Sequence, residues 1–269
     1  DIAESIKENN EKKSITTDDI EGIGMGVPGP VKDDGTVLKC VNLGWGVFNV
    51  EKALSVICGG VKVKAGNDAN VAALGEMWQG GGKGYEDVVM ITLGTGVGGG
   101  IIRGGKIVAG TNGAAGEIGH MPMIDDESEC CGCGKKGCLE QYASANGLVN
   151  VAEKYIAAHR TVETELDLNA GFTAKDVCDA AKAGDKAGLA AVEESMRLLG
   201  KAMASVSCVI DPQVFVVGGG LSKAGNIIID TASKYYKEYA FHASRETEIK
   251  LATLGNAAGM YGGVKMVIG

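Results

Sequence analysis

The sequence has no basic run or stripe, no stretch long and apolar enough to span a bilayer, and no signal-peptide pattern at its start. Its net charge is −8. The first absence argues against nucleic acid and anionic membrane as partners, because both are bound through clustered lysine and arginine. The second argues against a membrane-spanning protein. A G-x-x-x-x-G-K-[ST] motif is also missing, which excludes a P-loop. Cys40, Cys58, Cys178 and Cys208 are scattered through apolar surroundings and read as reduced core thiols. A cytoplasmic protein fits these features.

What is present is glycine. Forty-three of the 269 residues are Gly, clustered in short runs between aliphatic segments. That pattern means tight turns and close backbone approaches to a ligand, not disorder. The length and a hydrophobic content of 45% suffice for one large domain or two smaller ones with a sizeable core.

The chemistry concentrates in Gly113–His120 and in the Cys131–Glu140 segment that follows. Three thiols and one imidazole, from His120, Cys131, Cys133 and Cys138, form a full tetrahedral set for Zn²⁺, which favours sulfur and nitrogen donors. The intervening glycines let several sulfurs reach one ion. Cys130 stands beside Cys131, and adjacency leaves open which of the two ligates. A disulfide pair or free surface thiols are the alternatives. A closed four-ligand site has no open position, so such a metal is structural. It would brace Glu117, His120 and Glu140, polar groups suited to the hydroxyls of a small ligand.

Along the chain, residues 1–12 read as a helix. A buried strand then ends in Pro28-Gly29-Pro30, either a plain turn or a ligand loop at a strand's C-terminal end. Asn42 is a candidate hydroxyl ligand, and Asn49 reads as a helix N-cap. Asp68 falls where a strand meets a helix. It either caps that helix or serves as a general base. The strand Val88–Leu93 opens into Gly94-Thr95-Gly96 and further glycines. Gly94, Gly96 and Gly99 satisfy G-x-G-x-x-G, but strand, Gly-Gly turn and strand follow where a dinucleotide site needs a helix. The glycines therefore sit on a hairpin arm, which can still offer N–H groups and the Thr95 hydroxyl to phosphates. Residues 185–210 carry a Leu/Met stripe at helical spacing, ended by Asp211-Pro212. A second strand opens into Gly218-Gly219-Gly220, again a candidate for close approach to a nucleotide.

Taken in order, Pro28–Val31, Asn67–Asn70, Leu93–Gly100, Glu117–His120, Cys131–Glu140 and Gly218–Ser222 resemble the ROK family (repressors, open reading frames and kinases), and within it the bacterial glucokinases. The Glu-Ile-Gly-His and Cys-Gly-Cys-Gly-x-x-Gly-Cys-x-Glu pair is the specific part of the match. The resemblance implies an α/β, two-domain actin-like ATPase (sugar kinase) fold with a ligand cleft between the domains. Residues 1–86 plus the helix 256–269 would form the small domain, and 87–255 the large one with the zinc segment. It implies ATP-dependent phosphorylation of a hexose at O6, with Mg²⁺ accompanying ATP and a structural Zn²⁺. Asp68 would take the O6 proton. Gly29, Asn42, Asn67, Glu117, His120 and Glu140 would hold the sugar. Gly94, Thr95 and Gly96 would face phosphate, and Gly219 and Gly220 would lie against adenosine. His120 would use one ring nitrogen for zinc and the other for sugar. A homodimer or homotetramer is implied, without nucleic acid or membrane.

The family's opening Asp-x-Gly-Gly-Thr phosphate loop has no counterpart in these residues. The expectation is a parent protein that is a kinase, a chain that alone is impaired in ATP binding and turnover, and an exposed sheet edge prone to aggregation. Within the resemblance, glucose is the expected substrate. Other hexoses (N-acetylglucosamine, N-acetylmannosamine or fructose) and a sugar-sensing repressor core are the alternatives.

Overall fold

The computed structural model describes residues 2–40 and 43–269. The chain divides into two compact units, and neither is a continuous stretch. The first comprises residues 1–87, 100–116 and 254–269; the second comprises 88–99 and 117–253. Residues 100–116 pack with the first unit. Gly100 lies so close to α3 (Asp68–Gln79) that a Cβ there would come within 2.6 Å of Ala73 Cβ.

The first unit begins with α1 (Ile2–Lys13) and then β1 (Ile23–Val27), which pairs in parallel with β4 (Val63–Asn67). Their register sets Val27 opposite Asn67, so the β1 loop and the end of β4 meet. A short antiparallel pair, β2 (Thr36–Val37) and β3 (Phe48–Asn49), leads into α2 (Val50–Ile57), capped by Asn49 as expected. At the centre, α9 (Ala258–Ile268) is wedged between α3 and β1. A Cβ on Gly262 would lie 1.8 Å from the Val71 carbonyl oxygen, and one on Gly24 would lie 1.9 Å from that of Gly263. Only glycine permits these backbones to touch, and the seam forms for that reason.

In the second unit, β5 (Val88–Leu93) and β8 (Val214–Gly218) are the central parallel pair. The continuous apolar run Val214–Val217 is fully buried, as a strand covered on both faces requires. Strand β9 (Glu248–Leu251) pairs in parallel with β8; β6 (Val97–Arg103) starts in this unit and, beyond Gly99, pairs antiparallel with β7 (Lys106–Ile107). Gly94 and Gly96 lie in the turn from β5 into β6 and Gly98–Gly100 on β6 itself, so a strand and not a helix follows them.

A short helix α4 (Glu140–Ala143) leads through Ser144, whose hydroxyl accepts from Gly147 N–H at 2.9 Å, into α5 (Ala145–Ala158). Thr173 and Asp176 form a capping box on α6 (Ala174–Lys182). The long helix α7 (Lys186–Ile210) is capped by Asp185, buries Val192, Met196, Leu199, Met203 and Val206 of its apolar stripe but leaves Leu189 exposed, and stops at Asp211, which is left-handed before Pro212. Helix α8 (Asn226–Tyr239) packs against α7. No helix among the described residues is long and apolar enough to cross a membrane.

Candidate functional site

The polar groups of interest fall into three local constructions: a strand–helix corner in the first unit, and a thiol platform and a glycine groove in the second.

In the first unit, β4 ends at Asn67 and α3 begins at Asp68. The capping assigned to Asp68 as one alternative belongs mainly to its neighbour. Asn67 Oδ1 accepts from Ala69 N–H at 3.0 Å and Asn70 N–H at 3.2 Å, while its Nδ2 donates to the Gly29 carbonyl at 3.3 Å. Asp68 is thereby the first helical residue and is exposed, with Oδ1 accepting from Ala69 N–H at 2.8 Å. Gly29 and Asn67 are thus brought together. Asn42 lies outside the described residues.

In the second unit, Glu117 precedes the tight turn Ile118–His120. Leu139 N–H donates to the Met121 carbonyl at 2.9 Å, which lays the chain after His120 alongside Cys138. The Cys-Gly-Cys-Gly segment closes on itself through Cys131 N–H to Lys135 O at 2.7 Å and Gly134 N–H to Cys131 O at 2.8 Å. The outcome is one cluster: a ligand atom from each of His120, Cys131, Cys133 and Cys138 lies within 4.8 Å of all the others. His120 Nδ1 faces Cys131 Sγ at 3.7 Å, and Cys133 Sγ is 3.6 Å from Cys138 Sγ. Cys130 is exposed and outside the cluster, so Cys131 is the member of the adjacent pair that could ligate a metal. Burial pushes the Cys131 thiol up to about 12 and raises that of Cys138. The Lys135 backbone N–H draws the exposed Cys133 thiol down.

Around this cluster stand the predicted hydroxyl-gripping groups. His120 Nε2 is turned to Glu117, 4.0 Å from Oε2, and Nδ1 is 4.0 Å from Glu140 Oε1. Glu140 also reaches the β5–β6 loop, where Oε2 accepts from Val97 N–H at 3.2 Å. The loop between His120 and Cys131 is anchored by Glu127, whose carboxylate accepts from Tyr142 OH at 2.5 Å and pairs with Lys154 at 3.1 Å. These bonds, the Tyr142 hydroxyl foremost, hold Glu127 down at about 2.

The third construction is a groove of about 1070 Å³ that Gly94, Thr95 and Gly220 line together. Two stretches singled out separately in the sequence thus share one cavity. Gly219 backs it: a Cβ there would lie 2.4 Å from the Leu93 carbonyl oxygen. Gly96 packs under Glu140. The opposite wall comes from α5, α6 and the residues just before α6, including Asn146, Phe172, Asp179 and Lys182, none of which was expected. Those residues carry no motif; they share a wall only because two helices meet there. The arrangement suits an elongated ligand, polar at the glycine end and flanked by Phe172 and Leu221.

With this geometry established, comparison with known proteins gives a consistent result. The profile of the ROK family matches residues 1–269. A glucokinase of Halalkalibacterium halodurans is 40% identical over 266 residues, 97% of this chain and 80% of that protein. A glucokinase of Streptomyces coelicolor is 37% identical over 252 residues, 91% of this chain and 79% of that one. Among solved structures, a ROK family glucokinase from Streptomyces griseus in complex with glucose and AMPPNP superposes with a TM-score of 0.76. It is 33% identical, over 98% of this chain and 86% of that one.

Proposed function

The chain belongs to the ROK family, and from that premise we propose that it is a glucokinase, moving the γ-phosphoryl group of ATP to O6 of glucose. The observation that carries this reading is the cysteine-braced platform, on which His120 turns Nδ1 to the thiols and Nε2 to Glu117. One imidazole can then serve a metal on one side and a sugar hydroxyl on the other. The fold agrees, because the actin-like architecture is that of the family's sugar kinases.

The metal is Zn²⁺. Bonds of about 2.3 Å to sulfur in a tetrahedron place ligand atoms about 3.8 Å apart, close to the 3.6 and 3.7 Å separations in the cluster. His120, Cys131, Cys133 and Cys138 would hold it as a structural ion, the cysteines as thiolates. Glu117, His120 and Glu140 bind sugar hydroxyls, and the same role is assigned to Gly29, Asn42 and Asn67.

Asp68 accepts the O6 proton as O6 attacks the γ-phosphorus and ADP leaves. Its exposure and its freedom from the main capping task suit that role. Gly94, Thr95 and Gly96 offer donors to the phosphates, Gly219 and Gly220 border the adenosine, and Mg²⁺ accompanies ATP.

The test is calorimetric titration of the zinc-loaded protein with glucose, N-acetylglucosamine and fructose without nucleotide. Glucose binding that disappears in Glu117→Ala is expected. Preference for an N-acetyl sugar would replace glucose in the reading, and absence of any sugar binding would overturn it.

A further inference from the structure

Glu140 touches two things that the kinase reading treats separately. Its Oε1 lies 3.2 Å from Cys131 Sγ, while its Oε2 accepts from Val97 N–H in the loop between β5 and β6 at 3.2 Å. The fit is close: a Cβ at Gly96 would come within 2.2 Å of Oε2, so this carboxylate and a side chain at 96 are mutually exclusive. The same corner makes further contacts with the same loop. Ala145, at the start of α5, donates its N–H to the Gly94 carbonyl at 2.8 Å. A Cβ at Gly119, beside His120, would sit 2.1 Å from the Val97 carbonyl oxygen. Gly94 and Thr95 in turn line the groove.

We propose that Glu140 is a positioning residue that couples the thiol–imidazole cluster to the glycine loop, so that metal occupancy sets nucleotide affinity as well as the sugar platform. The backbone explains how. Glu140 follows the ligand Cys138 by two residues, so fixing Cys138 on an ion fixes the Glu140 backbone. The carboxylate then holds Val97, and the next turn holds Gly94. Without the ion, the 130–138 segment keeps its backbone hydrogen bonds, among them Met123 N–H to Gly137 O at 2.7 Å, but its four ligand side chains are no longer tied together, and the loop is released to more conformations. A nucleotide that needs the loop's N–H groups in place must then order them on binding, which lowers its affinity.

This inference rests on the kinase reading for the identity of the ligand, and the experiment separates the two. Calorimetric titration with AMPPNP compares zinc-loaded and chelator-treated protein. Affinity is expected to fall about tenfold on chelation. Glu140→Ala in the loaded protein should show the same loss, with no further loss on chelation, because both changes cut one link. Glu140→Gln should retain nucleotide affinity, since its amide oxygen still accepts from Val97, while glucose binding weakens. Unchanged affinity on chelation, or losses that simply add, would overturn the coupling.

Amide exchange gives a second reading that needs neither a variant nor a nucleotide. Chelation should speed exchange at Val97 and Ala145 relative to Val216 in the buried strand β8. Equal acceleration at all three, or none, counts against the proposal. If AMPPNP fails to bind loaded wild-type protein, as the missing Asp-x-Gly-Gly-Thr loop could cause, amide exchange alone decides the coupling, and the kinase reading rests on the sugar titration.

Discussion

Asp68 in the first unit and the Glu117–His120–Glu140 group in the second are both polar sets held at accessible positions, but by different means. Asp68 stands where a parallel strand ends and a helix begins, and backbone packing holds that corner: α9 glycines press against Val71 and Gly24, and Asn67 caps the helix. The second set lies on loops with little regular structure, and side chains hold it: four metal-ligand groups, Glu140 on Val97, and Glu127 between Tyr142 and Lys154. A strand–helix corner needs no brace, because its hydrogen bonds are already made. A glycine-rich loop lacks that support and must be fastened by charge and by metal. The first construction should therefore fail through sterics and the second through acid or chelation.

The sharpest test of the first construction is chemical. Asp68→Asn should lower turnover by about 10³-fold while glucose binding by calorimetry survives, since the proton acceptor is lost but the corner is kept. A comparable loss of glucose affinity would mean that Asp68 is a binding group. Next in size is Gly262→Val, which forces side-chain carbons into the Val71 carbonyl and should cost about 3 kcal/mol in chemical denaturation. That loss should be the same at pH 7 and pH 5, because the clash involves no titrating group.

The second construction should respond to pH. Glu127 titrates at about 2 in the folded protein, below its ordinary 4.5. The stability it contributes is complete above about pH 5 and is lost as pH falls toward 2, at most about 3 kcal/mol. Glu127→Gln should remove that slope from denaturation curves taken between pH 5 and 2. An unchanged slope would place the acid sensitivity elsewhere.

The smallest effect is expected for Asn67→Ala, about 1 kcal/mol of stability for a lost cap. It also separates capping from catalysis. With Asn67 gone, Asp68 is the nearest side chain able to cap α3, so turnover should fall more than glucose affinity does.

Much of the site was readable because it is local in sequence. His120 and the cysteines occupy a window of under twenty residues, and a short loop of that composition has few ways to fold except around one ion. The hairpin after β5 was readable because strand, Gly-Gly turn and strand leave no room for a helix start. The choice between Cys130 and Cys131 was not readable. Adjacent residues share every sequence cue, and only the turn closed by Lys135 and Gly134 turns Cys131 inward. Nor was the capping of α3, since Asn67 and Asp68 are both good caps and the register of β4 against β1 decides which one faces the helix N–H groups.

By itself, then, the sequence determined the secondary-structure order, the gathering of three cysteines around His120 and the ROK-type motifs, because periodicity, turn chemistry and close spacing are properties of neighbouring residues. Tertiary structure decided the rest. It assigned residues 100–116 to the first unit, joined Thr95 to Gly220 and the walls of α5 and α6 in one groove, and set Glu140 against Val97. Each of these joins residues far apart in the chain, and such contacts exist only once buried backbones have packed closely enough to exclude everything but glycine between them.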